Sequence, residues 1–448
     1  MQIEENGIIY LFEQVEDYSI DYIKLKLGML FNAFLQSGFL SIKNDFVRFS
    51  YVGIAANANN VICVLPKYMF HKSPLEGTLI NEGRTIVKIL KQYDINTSYF
   101  GNRLEFYDQS SSSETSEIAL ADFLLKDYLS NGIWSYQNKY IAQDDGNEIL
   151  WDYTVEKSQP VISKYPYYFD VFSQGNETIS NTIISRIHKW AISYVAGRYS
   201  EILDLEITFD EIESTDIEEL GDLEYLVEII NKELRITFND RDISLLKSLK
   251  ELMKIGTSSN VQDYTLYGKN KFEHVWEDAV SFNFRNEYRE LAGFISKPEW
   301  VDLAFGKTTE KNTLRPDVIK WIRNDTTSVV LIIDAKYYLF DYNAINQKAE
   351  NNPGVGDIVK QYFYELVLNR ATSNADWLKY NTSYRNILMF PGRERSAPAM
   401  TNIGYVSLEN SAIAKPIHNF HLNPYIIFDN YINQKPLSDS TIETLADL

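Results

Sequence analysis

The sequence predicts an α/β and α+β protein of several domains, with a mixed central sheet flanked by helices in its C-terminal part. Three observations predict this class. The chain has 448 residues, enough for two to four domains, and 45% of them are hydrophobic, which supplies ample core. Short β-branched runs alternate with longer segments of helical apolar spacing. Clusters of Gly, Pro, Ser and Asn separate these segments and favour turns.

These breaks divide the chain into three expected segments. Residues 1–130 are predicted to form an N-terminal α+β domain that docks a partner or DNA, and residues 131–257 a middle α+β domain with an acidic face. Residues 258–448 follow as the domain with the candidate chemistry. Helices are expected at 22–37, 83–93, 116–129 and 181–199, and strands at 47–55 and 61–66. Cys63, the single cysteine, is expected to be buried in a strand, which excludes a disulfide or a cysteine-based metal site.

The charge of the chain is strongly acidic. Its formal net charge is −19, and residues 201–228 contain twelve acidic residues and no basic one. Such a stretch is typical of a solvated face that cannot lie on DNA. The N-terminus is acidic and no apolar run is long enough to cross a bilayer, so we expect a cytoplasmic protein without membrane contact.

Two acidic residues and one lysine form the main candidate site. Asp334 and Lys336 end the apolar run 329–333, and the period of two places them on one face of a strand. Residues 324–328 favour a turn, so the segment that begins at Asp317 can pair antiparallel with this strand. Asp317 then lies beside Asp334.

These residue types suit Mg²⁺ or Mn²⁺. Such ions take oxygen ligands, often one or two carboxylates plus phosphate oxygens. Asp317, Asp334 and the backbone oxygen of Ala335 could hold the ion, while Lys336 could orient or deprotonate a water and neutralise charge on a phosphate. Taken alone, Asp-x-Lys after an apolar run indicates a solvated strand end. The Pro316-Asp317 pair upstream reverses that interpretation.

A helix upstream offers a further carboxylate. Residues 271–280 have apolar residues at helical spacing, and Glu277 borders that stripe. Glu277 is either an extra metal ligand, directly or through water, or a solvated helix residue. His274 is expected at the surface or as a cap.

A helix downstream is expected from Asp357 to Leu368, after the breakers Asn352 to Gly356. Its Gln361 is a candidate contact to phosphate or water, as are Lys360 and Tyr364. Three residues of this helix are assigned to the core: Tyr362, Phe363 and Leu366.

A basic cleft could offset the acidity of the chain. The candidates are Lys320, Lys336, Lys348, Lys360, Arg370, Arg385, Arg393 and Arg395. Arg393 and Arg395 follow the buried strand 387–390, on a loop near the sheet's end, where loops commonly touch substrate. A solvated loop is the alternative.

The order of Glu277, Asp317, Asp334 with Lys336, and Gln361 resembles the PD-(D/E)xK nuclease superfamily. Several segments more narrowly resemble the LlaJI family of restriction endonucleases, which are related to McrC nuclease subunits. These are residues 49–54, 64–68, 146–155 and 267–277.

The resemblance implies a metal-dependent DNA endonuclease subunit of a restriction, anti-phage system. It also implies a partner, a McrB-like AAA+ GTPase. The sequence has no Gly-x-x-x-x-Gly-Lys-Ser/Thr loop, so we do not expect this chain to hydrolyse nucleotide itself. Double-stranded DNA is the expected substrate. Two alternatives stay open: a non-catalytic subunit that stimulates a motor NTPase, and a nuclease of DNA repair.

Overall fold

In the computed structural model, the chain divides into two compact units. Unit 1 combines residues 1–109 with 266–448, and unit 2 comprises residues 110–265. The first residues of the chain thus share a unit with the segment that carries the candidate site, while the functional division into three segments stays a prediction. The structure describes residues 3–5, 7–14, 18–28, 30–57, 60–70, 79–99, 117–144, 148–207, 216–256, 264–292, 295, 299–304, 308–310, 315–323, 327–343, 348–369, 381–408 and 415–448.

The N-terminal part of unit 1 is built on a five-stranded sheet. Its order is β1 (Ile3–Glu5), β2 (Ile8–Phe12), β7 (Val61–Leu65), β6 (Val52–Asn57) and β13 (Tyr264–Lys269). β2 and β7 are parallel, whereas β6 and β7 are antiparallel. Cys63 on β7 is fully buried, as predicted. The remaining elements are β3 (Tyr18–Ser19), α1 (Ile20–Leu27), α2 (Leu30–Gln36), β4 (Leu40–Lys43), β5 (Phe46–Phe49), a 3-10 turn (Lys67–Met69) and α3 (Leu79–Tyr99).

Two expected elements of this part are interrupted. The helix predicted over 22–37 is split into α1 and α2, because Gly28 adopts a φ of 54°, which no helical residue can hold. The strand predicted over 47–55 is split into β5 and β6, which belong to different sheets. The helix predicted over 83–93 lies within α3 and is confirmed.

Two glycines allow β13 to lie against β6. A Cβ on Gly53, which has a φ of 143°, would lie 2.3 Å from the carbonyl oxygen of Tyr267. A Cβ on Gly268 would lie 2.4 Å from the oxygen of Val52 and from the ring of Tyr51. Any side chain at either position would separate the two strands.

Unit 2 contains a three-stranded sheet and a set of helices. The sheet order is β8 (Tyr136–Gln143), β12 (Phe172–Ile179) and β9 (Glu148–Ile149), and a separate hairpin joins β10 (Val161–Ile162) to β11 (Pro166–Tyr167). The helix predicted over 181–199 is confirmed as α6 (Ile183–Leu203), which begins with a capping box at Thr182. The other helices are α4 (Glu117–Asn131), α5 (Trp151–Lys157), a 3-10 turn (Ile217–Leu220), α7 (Leu223–Ile236) and α8 (Asp240–Gly256).

The described part of the acidic stretch, residues 201–207 and 216–228, carries its acidic side chains at the surface of unit 2. Its described acidic residues are all exposed: Glu201, Asp204, Glu206, Asp216, Glu218, Glu219, Asp222, Glu224 and Glu228. Among the described residues, no helix is long and apolar enough to span a membrane.

His188 in the middle of α6 makes unit 2 sensitive to acid. The ring is fully buried and its Nδ1 accepts from the backbone N–H of Trp134 at 3.0 Å. Burial lowers the pKa of His188 from 6.5 to about 4, although the charge of Asp127 opposes this shift. The unfolded chain therefore binds a proton below pH 6.5 that the folded chain binds only near pH 4.

We expect this histidine to remove on the order of 3 kcal/mol from the free energy of unfolding as the pH falls from 6.5 to 4, with no further loss below. Urea unfolding at several pH values across this range measures how the free energy of unfolding changes with pH. His188→Asn retains an acceptor for the Trp134 N–H but does not titrate. The pH dependence of its unfolding free energy should therefore correspond to the uptake of about one proton fewer. An equal slope in both proteins would contradict the prediction.

The C-terminal part of unit 1 holds the predicted mixed sheet. Its order is β16 (Val318–Arg323), β17 (Thr327–Ala335), β20 (Asn381–Pro391), β22 (Ile417–Leu422) and β21 (Met400–Val406). The outer pairs are antiparallel, and β17, β20 and β22 run parallel. The predicted α/β and α+β class with a mixed sheet is confirmed.

Helices pack on both faces of this sheet. α10 (Tyr288–Leu291) and α11 (Val355–Asn369) share a core cluster with Ile319, Val330 and Ile332, and α9 (Phe272–Asn283) contacts β17 from the other face. α12 (Pro424–Ile432) packs on α9. The remaining elements are the hairpins β14 (Glu299–Val301) with β15 (Thr308–Glu310) and β18 (Asp341–Asn343) with β19 (Lys348–Glu350), α13 (Asp439–Glu443) and a 3-10 turn (Thr444–Asp447).

Candidate active site

The pairing of β16 with β17 places Asp317 beside Asp334. The two strands are antiparallel, as predicted, and Val318 is opposite Ile333, so the next pair in register is Asp317 and Asp334. The turn expected at 324–328 falls largely outside the described residues. The Asp317 carboxylate accepts from the Ala335 N–H at 2.8 Å. Asn286 fixes the start of β16, because its side chain donates to the Asp317 carbonyl at 2.7 Å.

Lys336 lies on the same face as Asp334, as the period of two predicts. Its Nζ is 2.9 Å from an Asp334 oxygen, and the Asp334 side chain is nearly inaccessible. Asp357, in the first turn of α11, also binds this ammonium at 2.8 Å. The lysine is thus held between carboxylates from two elements.

The sequence predicts Asp357 as the start of a helix but does not predict its contact with Lys336. Its place in the first turn, after the breakers at 352–356, was visible in the sequence. Asp357 and Lys336 are far apart in the sequence, so the sequence alone does not predict that they are in contact.

Electrostatics in this cluster favour a bound cation. Burial raises the pKa of Asp317, and the neighbouring Asp334, which shares a hydrogen bond with it, raises this pKa further; Glu277 contributes in the same direction. Burial lowers the pKa of Lys336, but the charges of Asp334 and Asp357 outweigh it, so the net shift is upward. Lys336 is therefore an ammonium, and the raised pKa of Asp317 reflects the repulsion between two neighbouring buried carboxylates.

The carboxylate oxygens of Asp317 and Asp334 are suitable ligands for a small divalent ion. Mg²⁺ keeps several waters and needs only one or two protein carboxylates beside phosphate oxygens. Asp317 and Asp334 could supply these, with the backbone oxygen of Ala335 as a predicted third donor. A divalent cation bound between Asp317 and Asp334 would offset the repulsion between the two carboxylates. In the described part of the chain, no group of three or more His, Cys, Asp and Glu side chains is arranged to hold a metal ion.

Glu277 lies on α9 at the border of its buried stripe, as predicted. The buried residues of this helix include Val275, Trp276 and Val280. The Glu277 side chain is 36% exposed and lies 3.2 Å from Nδ1 of His274. The charge of Glu277 contributes to the raised pKa of Asp317. Its role as an accessory ligand stays a prediction.

Gln361 lies inside the protein. It is fully buried, and its Nε2 donates to the carbonyl of Ile332 at 2.6 Å, which fixes α11 to β17. The Oε1 of Gln361 has no partner among the described residues. A contact of Gln361 with phosphate or water stays a prediction.

Lys360, one residue earlier, is exposed. Burial lowers the pKa of Lys360, but the Tyr364 hydroxyl and the charge of Asp334 raise it more. The Tyr364 hydroxyl itself donates to the Arg315 carbonyl at 3.0 Å.

The other candidate basic residues differ in their ion-pair partners and in their exposure. Arg395 pairs with the buried Glu82 and lies 4.1 Å from the ring of Tyr425, so it fixes its loop to α3. Lys320 pairs with Glu287 at 2.5 Å. Arg385 is partly buried and donates to the backbone, whereas Lys348 and Arg393 are exposed. Arg370 lies outside the described residues.

Comparison with known proteins shows similarity to a family of restriction enzymes and to a curated relative. A sequence model described as LlaJI restriction endonuclease matches residues 51–420. The chain is 32% identical over 405 residues to the type II restriction enzyme BsuMI component YdjA of Bacillus subtilis (strain 168), covering 87% of this chain and 82% of the relative.

Two solved structures are also similar. One is a half-complex from a tetradecameric assembly of Thermococcus gammatolerans McrB AAA+ hexamers with bound McrC (TM-score 0.38, 15% identity, 96% of this chain and 99% of the matched chain). The other is the Thermococcus gammatolerans McrBC complex (TM-score 0.30, 16% identity, 64% of this chain and 90% of the matched chain). The extent of the sequence match, over most of the chain, decides the family. The chain belongs to the LlaJI restriction endonuclease family.

Proposed function

We propose that this restriction-family chain is a metal-dependent DNA endonuclease subunit that hydrolyses phosphodiester bonds together with an AAA+ GTPase partner. The observation that carries the proposal is the convergence of Asp317 and Asp334 at adjacent strand positions, with the Lys336 ammonium 2.9 Å from Asp334. Two carboxylates and a fixed cation are the groups that phosphodiester hydrolysis needs.

Each side chain has a task that follows from its position. Mg²⁺ or Mn²⁺, when held by Asp317, Asp334 and the Ala335 oxygen, would polarise the phosphate and lower the pKa of a water. Lys336 is an ammonium, so it donates hydrogen bonds and neutralises charge on the phosphate rather than accepting a proton. Asp357 holds Lys336 in place from α11. The exposed Lys360 can contact an adjacent phosphate.

A partner would supply the DNA affinity that the chain lacks. The net charge of −19 opposes autonomous capture of DNA, because phosphate binding relies on Lys and Arg. The likeness of the sequence to McrC-type subunits implies an AAA+ GTPase as this partner.

Unit 2 carries the surface that supports docking of the partner. Many apolar side chains between residues 136 and 179 are exposed, and five in or beside the β10–β11 hairpin are more than half exposed: Val161, Ile162, Tyr165, Tyr167 and Phe169. Patches of this kind mark protein interfaces. The exposed acidic residues described between positions 201 and 228 of the same unit favour a basic partner surface.

The two alternatives are less well supported. A scaffold that only stimulates a motor has no need of buried, mutually repelling carboxylates, which cost stability. A nuclease of DNA repair does not fit membership of a restriction family.

A metal titration of cleavage tests the proposal. We expect no cleavage of plasmid DNA by the chain and its partner in excess chelator, and recovery with Mg²⁺ or Mn²⁺. Glu277→Gln should need several-fold more metal than the wild type, and Asp317→Asn should need far more, because water can replace a half-exposed helix carboxylate more easily than a strand ligand. Undiminished cleavage in chelator would exclude the proposal, and an unchanged metal requirement in Glu277→Gln would remove Glu277 from the site.

A further inference from the structure

A buried cluster behind Lys336 joins the N-terminal sheet to the end of β17. Tyr337 directly follows Lys336 and is 4% exposed. Its hydroxyl donates to Oε2 of Glu13 at 2.7 Å. Glu13 directly follows β2 and is 2% exposed, and its N–H donates to the carbonyl of Leu65 at 2.9 Å. A residue near the start of the chain thus contacts the neighbour of the candidate lysine.

Lys67 completes this cluster from the turn after β7. Its Nζ lies 4.1 Å from the centroid of the Tyr337 ring, within the range of a cation–π contact. Its backbone N–H donates to the Glu13 carboxylate. Phe272, the first residue of α9, also packs against the Tyr337 ring, with ring centroids 5.6 Å apart. We call Glu13, Lys67 and Tyr337 the Glu13 cluster.

A buried carboxylate constrains its partners strongly. Burial raises the pKa of Glu13, and the charge of Lys67 and the hydroxyl of Tyr337 oppose this shift. An unpaired carboxylate at this depth would be costly, so the cluster is stable only with all three groups in place. This requirement fixes the position of the Tyr337 side chain.

The backbone of Lys336 is held from two sides. The ladder between β17 and β20 ends at the pair Ala335 and Met389, and the Lys336 N–H donates to the Met389 carbonyl at 2.8 Å. β17 ends at Ala335, and Tyr337 is the next residue after Lys336 whose side chain is held in place, by its hydrogen bond to Glu13. We propose that Glu13 and Lys67 are positioning residues that hold Lys336 on Asp334 through Tyr337. The inference rests on the proposed function.

Lys67 lies in segment 64–68, one of the segments that carry the family resemblance. Among the described residues, it makes no contact with Asp317 or Asp334. Its effect on the reaction would pass through Tyr337. A displacement of about 1 Å in a reacting group can cost on the order of a hundredfold in rate.

Tyr337→Phe in the full chain tests the inference, because it removes one hydroxyl and keeps the ring. With the partner present, we expect kcat for DNA cleavage to fall about tenfold or more while KM for DNA is unchanged. Glu13→Leu should have a similar effect. Glu13→Gln should retain most of the activity, because its side-chain oxygen can still accept from Tyr337.

A second readout does not depend on catalysis. The Lys336 side chain is 13% exposed in its ion pairs, so pulsed acetylation by acetic anhydride should modify it slowly. Tyr337→Phe should raise its acetylation rate several-fold, as measured by mass spectrometry, while the exposed Lys360 is modified at the wild-type rate.

Tyr18→Phe is the matched control. Tyr18 is also 4% exposed, and its hydroxyl accepts a buried hydrogen bond from the Phe12 N–H at 2.8 Å. This variant should lower the melting temperature about as much as Tyr337→Phe, with unchanged kcat and Lys336 acetylation. Equal loss of kcat in both variants would overturn the inference, as would wild-type Lys336 acetylation in Tyr337→Phe. If the wild type cleaves nothing, the proposed function fails, and the acetylation rates still decide the role of the cluster.

Discussion

Replacement of Lys336 by methionine is expected to reduce DNA cleavage by a hundredfold to a thousandfold while the protein stays folded. The ammonium lies 2.9 Å from Asp334 and 2.8 Å from Asp357, where it can meet the charge that develops on a phosphate. Removal of one group that stabilises such charge typically costs about 10²–10³ in rate. Asp334→Asn should have an effect at least as large, because it removes a carboxylate from the cation site. Plasmid cleavage in Mg²⁺ with the partner measures both.

Lys269→Met provides a matched control for the loss of a buried ammonium. The Lys269 side chain is 14% exposed against 13% for Lys336, and it pairs with Asp94 at 3.3 Å. This variant should cleave at the wild-type rate. Thermal unfolding must show that all variants remain folded. Full activity of folded Lys336→Met or Asp334→Asn would contradict the assigned roles.

The carboxylate pair could be predicted because its causes are local. A strand of β-branched residues alternates its side chains, and a short turn allows only an antiparallel neighbour. These two features therefore predict the mutual placement of Asp317, Asp334 and Lys336 that the structure has. The same reasoning could not reveal Asp357 or Glu13, since their contacts with Lys336 and Tyr337 depend on how distant elements pack.

In helix α11, the pattern of hydrophobic residues predicts the wrong buried residues. Phe363 and Leu366, assigned to the core, are 46% and 42% exposed. The buried stripe of this helix is Ile358, Gln361, Tyr364 and Leu368, which contains a glutamine. Gln361 can be buried because its amide bonds to the carbonyl of Ile332. A hydrophobicity pattern cannot foresee a polar residue that tertiary structure satisfies.

The isolated chain is expected to bind DNA weakly in moderate salt and to cleave poorly until an AAA+ GTPase partner and its nucleotide are added. Ile162 and Phe169 are 74% and 75% exposed in unit 2 and are our candidates for anchoring that partner. Ile162→Asp and Phe169→Asp should each weaken partner affinity about 30-fold, which corresponds to about 2 kcal/mol for an interface anchor. Partner affinity and nucleotide-dependent cleavage should fall together, whereas Mn²⁺ binding to the isolated chain should not change.

Leu25→Asp is the matched control, because Leu25 is 78% exposed on α1 in unit 1. It adds the same charge at a similarly exposed apolar position, so it separates an effect of net charge from an effect of location. Normal partner binding by Leu25→Asp with loss in both unit 2 variants would support docking through unit 2. Normal partner binding by the unit 2 variants would exclude this surface. Tight, sequence-specific cleavage by the isolated chain without nucleotide would contradict the need for a partner, because it would mean that the exposed cations near the site outweigh the acidity of the rest of the chain.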